Sequence, residues 1–169
     1  MDKDLYLLKE LTLFKDIPVE KIRKMISILR KITFPEGQII MKEGDPGDTM
    51  YIILDGTVEI VKSLVIGDTG DENNTRNKVF TRLDGKHHAV FGEISLLEEL
   101  KRTATIKAVT NCVLYEVKKD DFLKLAEGDY EFGYRILLNL ARIVSERLRK
   151  ADEETVKLTT VLSIILQET

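Results

Sequence analysis

The chain has 169 residues, 43% of them hydrophobic, which is enough for one domain with a proper core and an appended segment. Charged residues of mixed sign make up 33%, and a net charge of -3 supplies no basic field for nucleic acid, so DNA binding is not expected. No apolar run reaches bilayer-spanning length, and Asp2 and Asp4 depart from the basic-then-apolar order of a signal peptide, so a cytoplasmic protein without a membrane span is expected.

In chain order, Leu5, Leu7, Leu8, Leu11, Leu13 and Phe14 suggest a short helix packed on the domain. Ile22, Met25, Ile26 and Leu29 fall on one face of a second helix, with Pro18 at its first turn. From Lys31 the period shortens. Apolar runs alternate with turns at Phe34-Pro35-Glu36-Gly37, Glu43-Gly44-Asp45-Pro46-Gly47-Asp48, Asp55-Gly56 and Asp84-Gly85-Lys86. Strands are predicted over Ile39 to Lys42, Met50 to Leu54, Thr57 to Lys62, Val79 to Leu83, Thr103 to Ala108 and Cys112 to Val117. Many short strands at near-regular spacing point to an antiparallel jelly roll flanked by helices. Gly67 to Asn77, with Asp68, Asp71 and Glu72, reads as a mobile acidic loop; its spacing does not fit a twelve-residue calcium loop. Cys112, the only cysteine, lies in an apolar run and reads as a small core residue.

Phe91-Gly92-Glu93-Ile94-Ser95-Leu96-Leu97, followed by Arg102-Thr103-Ala104-Thr105, packs a glycine, a carboxylate and an arginine between strands. Gly92 would let backbone approach a ligand, Glu93 would accept from sugar hydroxyls, and Arg102 would neutralise a phosphate with its fork of donors. A short helical turn over Ile94 to Leu97 and the backbone N–H groups of Thr103 and Ala104 would aim further donors at the anion. The alternative is a Glu93–Arg102 salt bridge that pins the loop. His87 and His88, adjacent on a strand, would face opposite ways and do not make a metal site. No nucleophile-base pair stands out, so an enzyme is not expected and no cofactor is called for.

The sequence of this stretch resembles the phosphate-binding cassette of the cyclic nucleotide-binding domain family, and Gly37, Gly44-Asp45, Tyr51 and Gly56 match that family's turn glycines and aromatic. The resemblance implies a double-stranded β-helix jelly roll in which the glutamate matching Glu93 holds the ribose 2′-hydroxyl and the arginine matching Arg102 binds the cyclic phosphate. Phe91, Gly92, Ile94, Ser95, Thr103 and Ala104 complete the implied site, with cAMP or cGMP as ligand. A threonine after the arginine occurs in receptors of either nucleotide, so Thr103 leaves the purine open. In bacterial activators of the family, hydroxyl residues of a long helix touch the purine; rough alignment places Ala151 and Asp152 there, a departure from the pattern. Asp152 would accept from the amino group of either base.

After Val117 the helical period returns. Leu137, Ala141, Val144, Leu148, Ala151, Thr155, Leu158, Leu162 and Ile165 alternate steps of four and three, the seam of a coiled coil. Such a helix runs about 42 Å from Leu137 to Ile165, too long to be covered by its own domain. The expected organisation is a jelly roll with N-terminal helices over residues 1–130 and a dimerisation helix over 131–169. The expected function is a stand-alone cyclic nucleotide receptor, a homodimer through that helix, signalling to a protein effector without a DNA-binding domain. The competing reading is a dimeric interaction module of the same fold that binds no nucleotide.

Overall fold

The computed structural model describes residues 2–65, 75–85, 90–98 and 101–167. The N-terminal leucines form α1 (Asp2–Lys9) and a single 3-10 turn (Thr12–Phe14), and α2 (Val19–Ile26) starts immediately after Pro18. α2 stops at Ile26, so Leu29 lies outside it, beside β1 (Arg30–Phe34), which the turn-rich sequence around Pro35 had hidden. β2 (Ile39–Met41), β3 (Thr49–Asp55), β4 (Thr57–Val65) and β5 (Thr75–Asp84) follow the predicted runs. Thr75 to Asn77 pair with β4 and so belong to a strand rather than to the acidic loop; the remainder of that loop, with Asp68, Asp71 and Glu72, and His87 and His88 lie outside the described residues.

β6 (Val90–Phe91), α3 (Ile94–Leu97), β7 (Thr105–Ala108) and β8 (Cys112–Lys118) carry the chain into α4 (Lys119–Gly128) and the 38-residue α5 (Tyr130–Gln167). Two antiparallel four-stranded sheets, ordered β1-β8-β3-β6 and β2-β7-β4-β5, make the jelly roll. β7 begins two residues later than predicted, at Thr105, which leaves Thr103 and Ala104 in a bend outside the ladder.

β3 shows why the fold has two cores. Its side chains alternate between faces. Tyr51 and Ile53 point into the sandwich with Val58, Phe91, Ile106, Cys112 and Leu114, while Met50 and Ile52 join the helices on the outer face of the first sheet. Cys112 is buried in the first of these clusters, as its apolar run implied. Each large side chain so buried stabilises the fold by about 1.5–3 kcal/mol.

The start of α5 belongs to the helical core. Phe132, Ile136 and Leu140 are fully buried. The buried Asn139 amide donates to the Leu13 and Lys15 carbonyls at 3.0 and 2.8 Å, tying α5 to the N-terminal turn. Asp129 caps the helix, its carboxylate accepting from the Phe132 N–H at 3.1 Å and from Lys21 at 2.8 Å. The Lys21 hydrogen bond, the Phe132 N–H and Lys24 together hold the Asp129 carboxyl well below the usual carboxylate range.

Candidate functional site

Phe91 closes β6 with its ring stacked on Tyr51, centroids 5.1 Å apart, and this fixes the start of the Gly92–Leu97 turn. Gly92 sits at φ 73°, in the left-handed region; a Cβ there would lie 2.9 Å from both the Arg102 Nη1 and the Thr49 carbonyl oxygen. Only glycine fits. Ser95 and Leu96 donate their N–H groups back to Gly92 and Glu93 at 3.2 and 3.1 Å, so α3 is a closed turn whose Ser95 and Leu96 amides are already used.

Arg102 is held by its backbone and by its fork. Its N–H donates to the Asp45 carbonyl at 2.8 Å, and its own carbonyl accepts from Gly44 at 2.9 Å, so the β2–β3 turn and the residue before the bend form one unit. A Cβ on Gly47 would fall 2.1 Å from the Arg102 Nε, so any side chain there would displace the guanidinium. Nη1 donates to the Thr49 carbonyl at 2.7 Å and the Ser95 hydroxyl at 2.9 Å; Nη2 donates to the Thr49 hydroxyl at 2.6 Å.

Arg102 is 7% exposed. Burial pulls it below its usual value, opposed by the fields of Tyr51, Asp48 and Glu116. Yet among the described residues it has no carboxylate partner: Glu116 pairs with Arg30 at 2.9 Å. Glu93, 6% exposed, also turns elsewhere. Its carboxylate accepts from the Nη1 of Arg147 on α5 at 2.7 Å, and the other end of that guanidinium donates to the Val90 carbonyl. The loop-pinning Glu93–Arg102 bridge is therefore not what this cassette contains.

These groups surround a cavity of about 140 Å³. Phe91, Gly92, Glu93, Ile94, Ser95, Arg102, Thr103 and Ala104 all line it, with Met41, Ile60 and Ile106 as an apolar wall and Lys62, Lys101 and Arg147 adding positive charge. Among the described residues the Thr103 and Ala104 N–H groups make no hydrogen bond, a consequence of the bend that keeps them out of β7. The site thus offers a buried cation, two unused backbone donors and one carboxylate in a mostly basic cleft, the complement of an anion that also carries hydroxyls.

Asp152 is not brought into this cavity by its own chain; it is exposed on α5. Arg147 is the residue sequence reasoning missed. Its position beside Leu148 of the seam was visible, but the docking of α5 against β6, which aims it at Glu93, was not. Thr49, which binds Arg102 through both carbonyl and hydroxyl, was equally invisible because it lies 53 residues away in sequence.

The sequence pattern described as "Cyclic nucleotide-binding domain" matches residues 31–129, more than half of the chain and the whole cassette. The chain belongs to the cyclic nucleotide-binding domain family. It is 30% identical over 108 residues to a cGMP-dependent protein kinase of Drosophila melanogaster, covering 64% of this chain and 8% of the kinase. It is 30% identical over 120 residues to the cAMP-dependent protein kinase regulatory subunit of Dictyostelium discoideum, covering 70% of this chain and 34% of that subunit. In structure it is similar to the Thermus thermophilus catabolite activator protein, with a TM-score of 0.71 and 27% identity, covering 88% of this chain and 63% of that one. The chain spans a minor part of both kinase-related proteins. Arg147, on the helix that closes the cavity, lies beyond the matched segment. Among the described residues no helix is long and apolar enough to cross a membrane.

Proposed function

We propose that this chain is a cyclic nucleotide receptor, with the phosphate seated on Arg102 and the N–H groups of Thr103 and Ala104, and a ribose hydroxyl on Glu93. The observation that carries this reading is the buried Arg102, whose guanidinium has no carboxylate partner among the described residues. A charge held out of water costs several kcal/mol unless it is paired, and a bound phosphate supplies the missing partner. Gly92, Ile94, Ser95 and Phe91 shape the cavity around that pair. The names of the relatives point to cAMP and to cGMP, and both are ligands of this proposal.

The cavity is smaller than the roughly 300–1,000 Å³ of ordinary small-molecule sites, so its wall must give when a nucleotide enters. Arg147 is the wall that moves most cheaply, because it is borne on α5 and gives up Glu93 to the ribose. Ligand capture thereby biases the position of α5, a two-state shift that a protein effector reads. The exposed seam of α5 supports a homodimer: Leu148, Leu158, Leu162 and Ile165 are 55–62% exposed, and a second copy of the same helix covers them. The single buried cysteine suits the reducing cytoplasm, where cyclic nucleotides act. Organisation follows as a jelly-roll sensor over 1–130 and a dimerisation helix over 131–169.

Calorimetric titration with cAMP and with cGMP tests the reading. Saturable binding of one nucleotide per chain is expected for at least one of them; no heat of binding for either overturns the receptor and leaves the interaction module.

A further inference from the structure

Tyr51 stands in a row that crosses the whole of the first sheet. Strand register sets Arg30 of β1 opposite Glu116 of β8, Glu116 opposite Tyr51 of β3, and Tyr51 opposite Phe91 of β6. Residues directly opposite one another share a face, so these side chains run from the exposed Arg30 to the first residue of the cassette. Thr49, two residues before Tyr51 on the same strand, shares that face as well. The Tyr51 ring stacks on Phe91, and its hydroxyl donates to Glu116 Oε1 at 3.2 Å.

The hydroxyls of this row continue to Arg102. Its Nη2 donates to the Thr49 hydroxyl at 2.6 Å, the Thr49 hydroxyl donates to the Tyr51 hydroxyl at 3.4 Å, and Tyr51 passes the chain to Glu116. The far carboxylate oxygen of Glu116 accepts from the Arg30 Nε at 2.9 Å. The sense of this chain is set by its ends. A guanidinium has donors and no acceptor, and an ionised carboxylate has acceptors and no donor, so each hydroxyl between them takes a hydrogen bond from the arginine side and gives one to the glutamate side. Thr49, Tyr51, Glu116 and Arg102 are all buried, where a polar group without a partner is costly. Neither Thr49 nor Tyr51 lines the cavity, whereas Arg102 does.

We infer that Thr49 and Tyr51 are positioning residues for Arg102, with Glu116 as the fixed end of the chain: two hydroxyls carry an orientation set by a carboxylate on β8 to the guanidinium and hold it in place before a ligand arrives. The inference rests on the receptor reading above for the nature of that ligand. Affinity for the phosphate then depends on two hydroxyls that the phosphate does not touch, because an arginine already held gives up less freedom on binding than one that must be ordered. Tyr51 serves both ends of the cassette, its ring at Phe91 and its hydroxyl, through Thr49, at Arg102.

Calorimetry with cAMP and cGMP on conservative variants tests the chain. Thr49→Val keeps the shape of the side chain and the carbonyl that holds Nη1, and Tyr51→Phe keeps the ring on Phe91; each weakens nucleotide binding by about threefold to tenfold. Thr49→Ser, which restores the hydroxyl, recovers the wild-type affinity. Since the Tyr51 hydroxyl acts only through Thr49, adding Tyr51→Phe to Thr49→Val costs nothing further. Losses that multiply in the double variant, or an unchanged affinity in Thr49→Val, overturn the relay. NMR of the ligand-free chain reads the same positioning without a nucleotide. The Arg102 Nη2 protons give resolved, slowly exchanging signals in the wild type and in Thr49→Ser, and averaged ones in Thr49→Val and Tyr51→Phe. Signals that stay resolved in both of those variants overturn the positioning whatever the chain binds. Signals that behave as expected in a chain that binds neither nucleotide uphold the positioning and overturn the receptor reading alone.

Discussion

The two halves of α5 obey different rules. From Tyr130 to Ile143 the helix is part of the domain, with Phe132, Ile136 and Leu140 buried, Asn139 tied to the N-terminal turn and Asp129 capping its start. From Leu148 to Gln167 every residue is exposed, and Val156, Leu158, Val161, Leu162, Ile164 and Ile165 are each at least half exposed. A helix can be apolar for two reasons, and burial separates them: the first half packs into the domain core, whereas the apolar side chains of the second half are exposed and, on the proposed reading, are covered by a second copy. Arg147, which closes the cavity, stands where the one regime gives way to the other.

The largest expected effect breaks the proximal half. Phe132→Ala leaves a void in a core that cannot collapse around it and costs about 3–5 kcal/mol of stability in chemical denaturation. The equivalent truncation in the distal half, Leu158→Ala, changes the stability of the dissociated chain by less than about 0.5 kcal/mol and weakens association instead. Equal losses of monomer stability would show that the two halves are not different. Next in size is Asn139→Ala, which leaves the buried Leu13 carbonyl and the part-buried Lys15 carbonyl without their donor and costs about 1–3 kcal/mol by the same assay.

The smallest effect sharpens the boundary at the start of α5. The Asp129 carboxyl is held low in the folded protein, so in acid the unfolded chain takes up its proton first. Its contribution is complete above the ordinary carboxylate range near pH 4 and is lost as pH falls further, through the folded value. Stability measured from neutral pH downward therefore falls less steeply in Asp129→Asn than in the wild type. Parallel curves would remove Asp129 from the account.

How much of this was legible in the sequence depends on the range of the interactions. Local patterns were read well: the period of three and four in α5, the four-residue turn at Ile94–Leu97 and the glycine turns, three of which, Gly37, Gly44 and Gly56, take positive φ. β1 was missed because Pro35 and Gly37 dominate its surroundings, and β6 because two residues carry no periodicity. The cassette residues were legible as a set, and all of Phe91 to Ser95 and Arg102 to Ala104 line one cavity. Their partners were not. Thr49 reaches Arg102 through β3 and Arg147 reaches Glu93 through α5, and neither contact leaves a trace in local composition because each depends on how distant elements dock. Asp152 was legible only as a member of the helix. Its own chain leaves it exposed on α5, away from the cavity.

The central claim is that Arg102 is a buried cation awaiting an anion, and the direct test is calorimetric titration of the wild type and of Arg102→Ala with the nucleotide the wild type binds. Removal of the guanidinium leaves the phosphate unpaired in a low-dielectric cleft and should weaken binding by about 2–5 kcal/mol, roughly thirty-fold to several-thousand-fold. An Arg102→Ala chain that keeps its fold and binds with unchanged affinity would contradict the account.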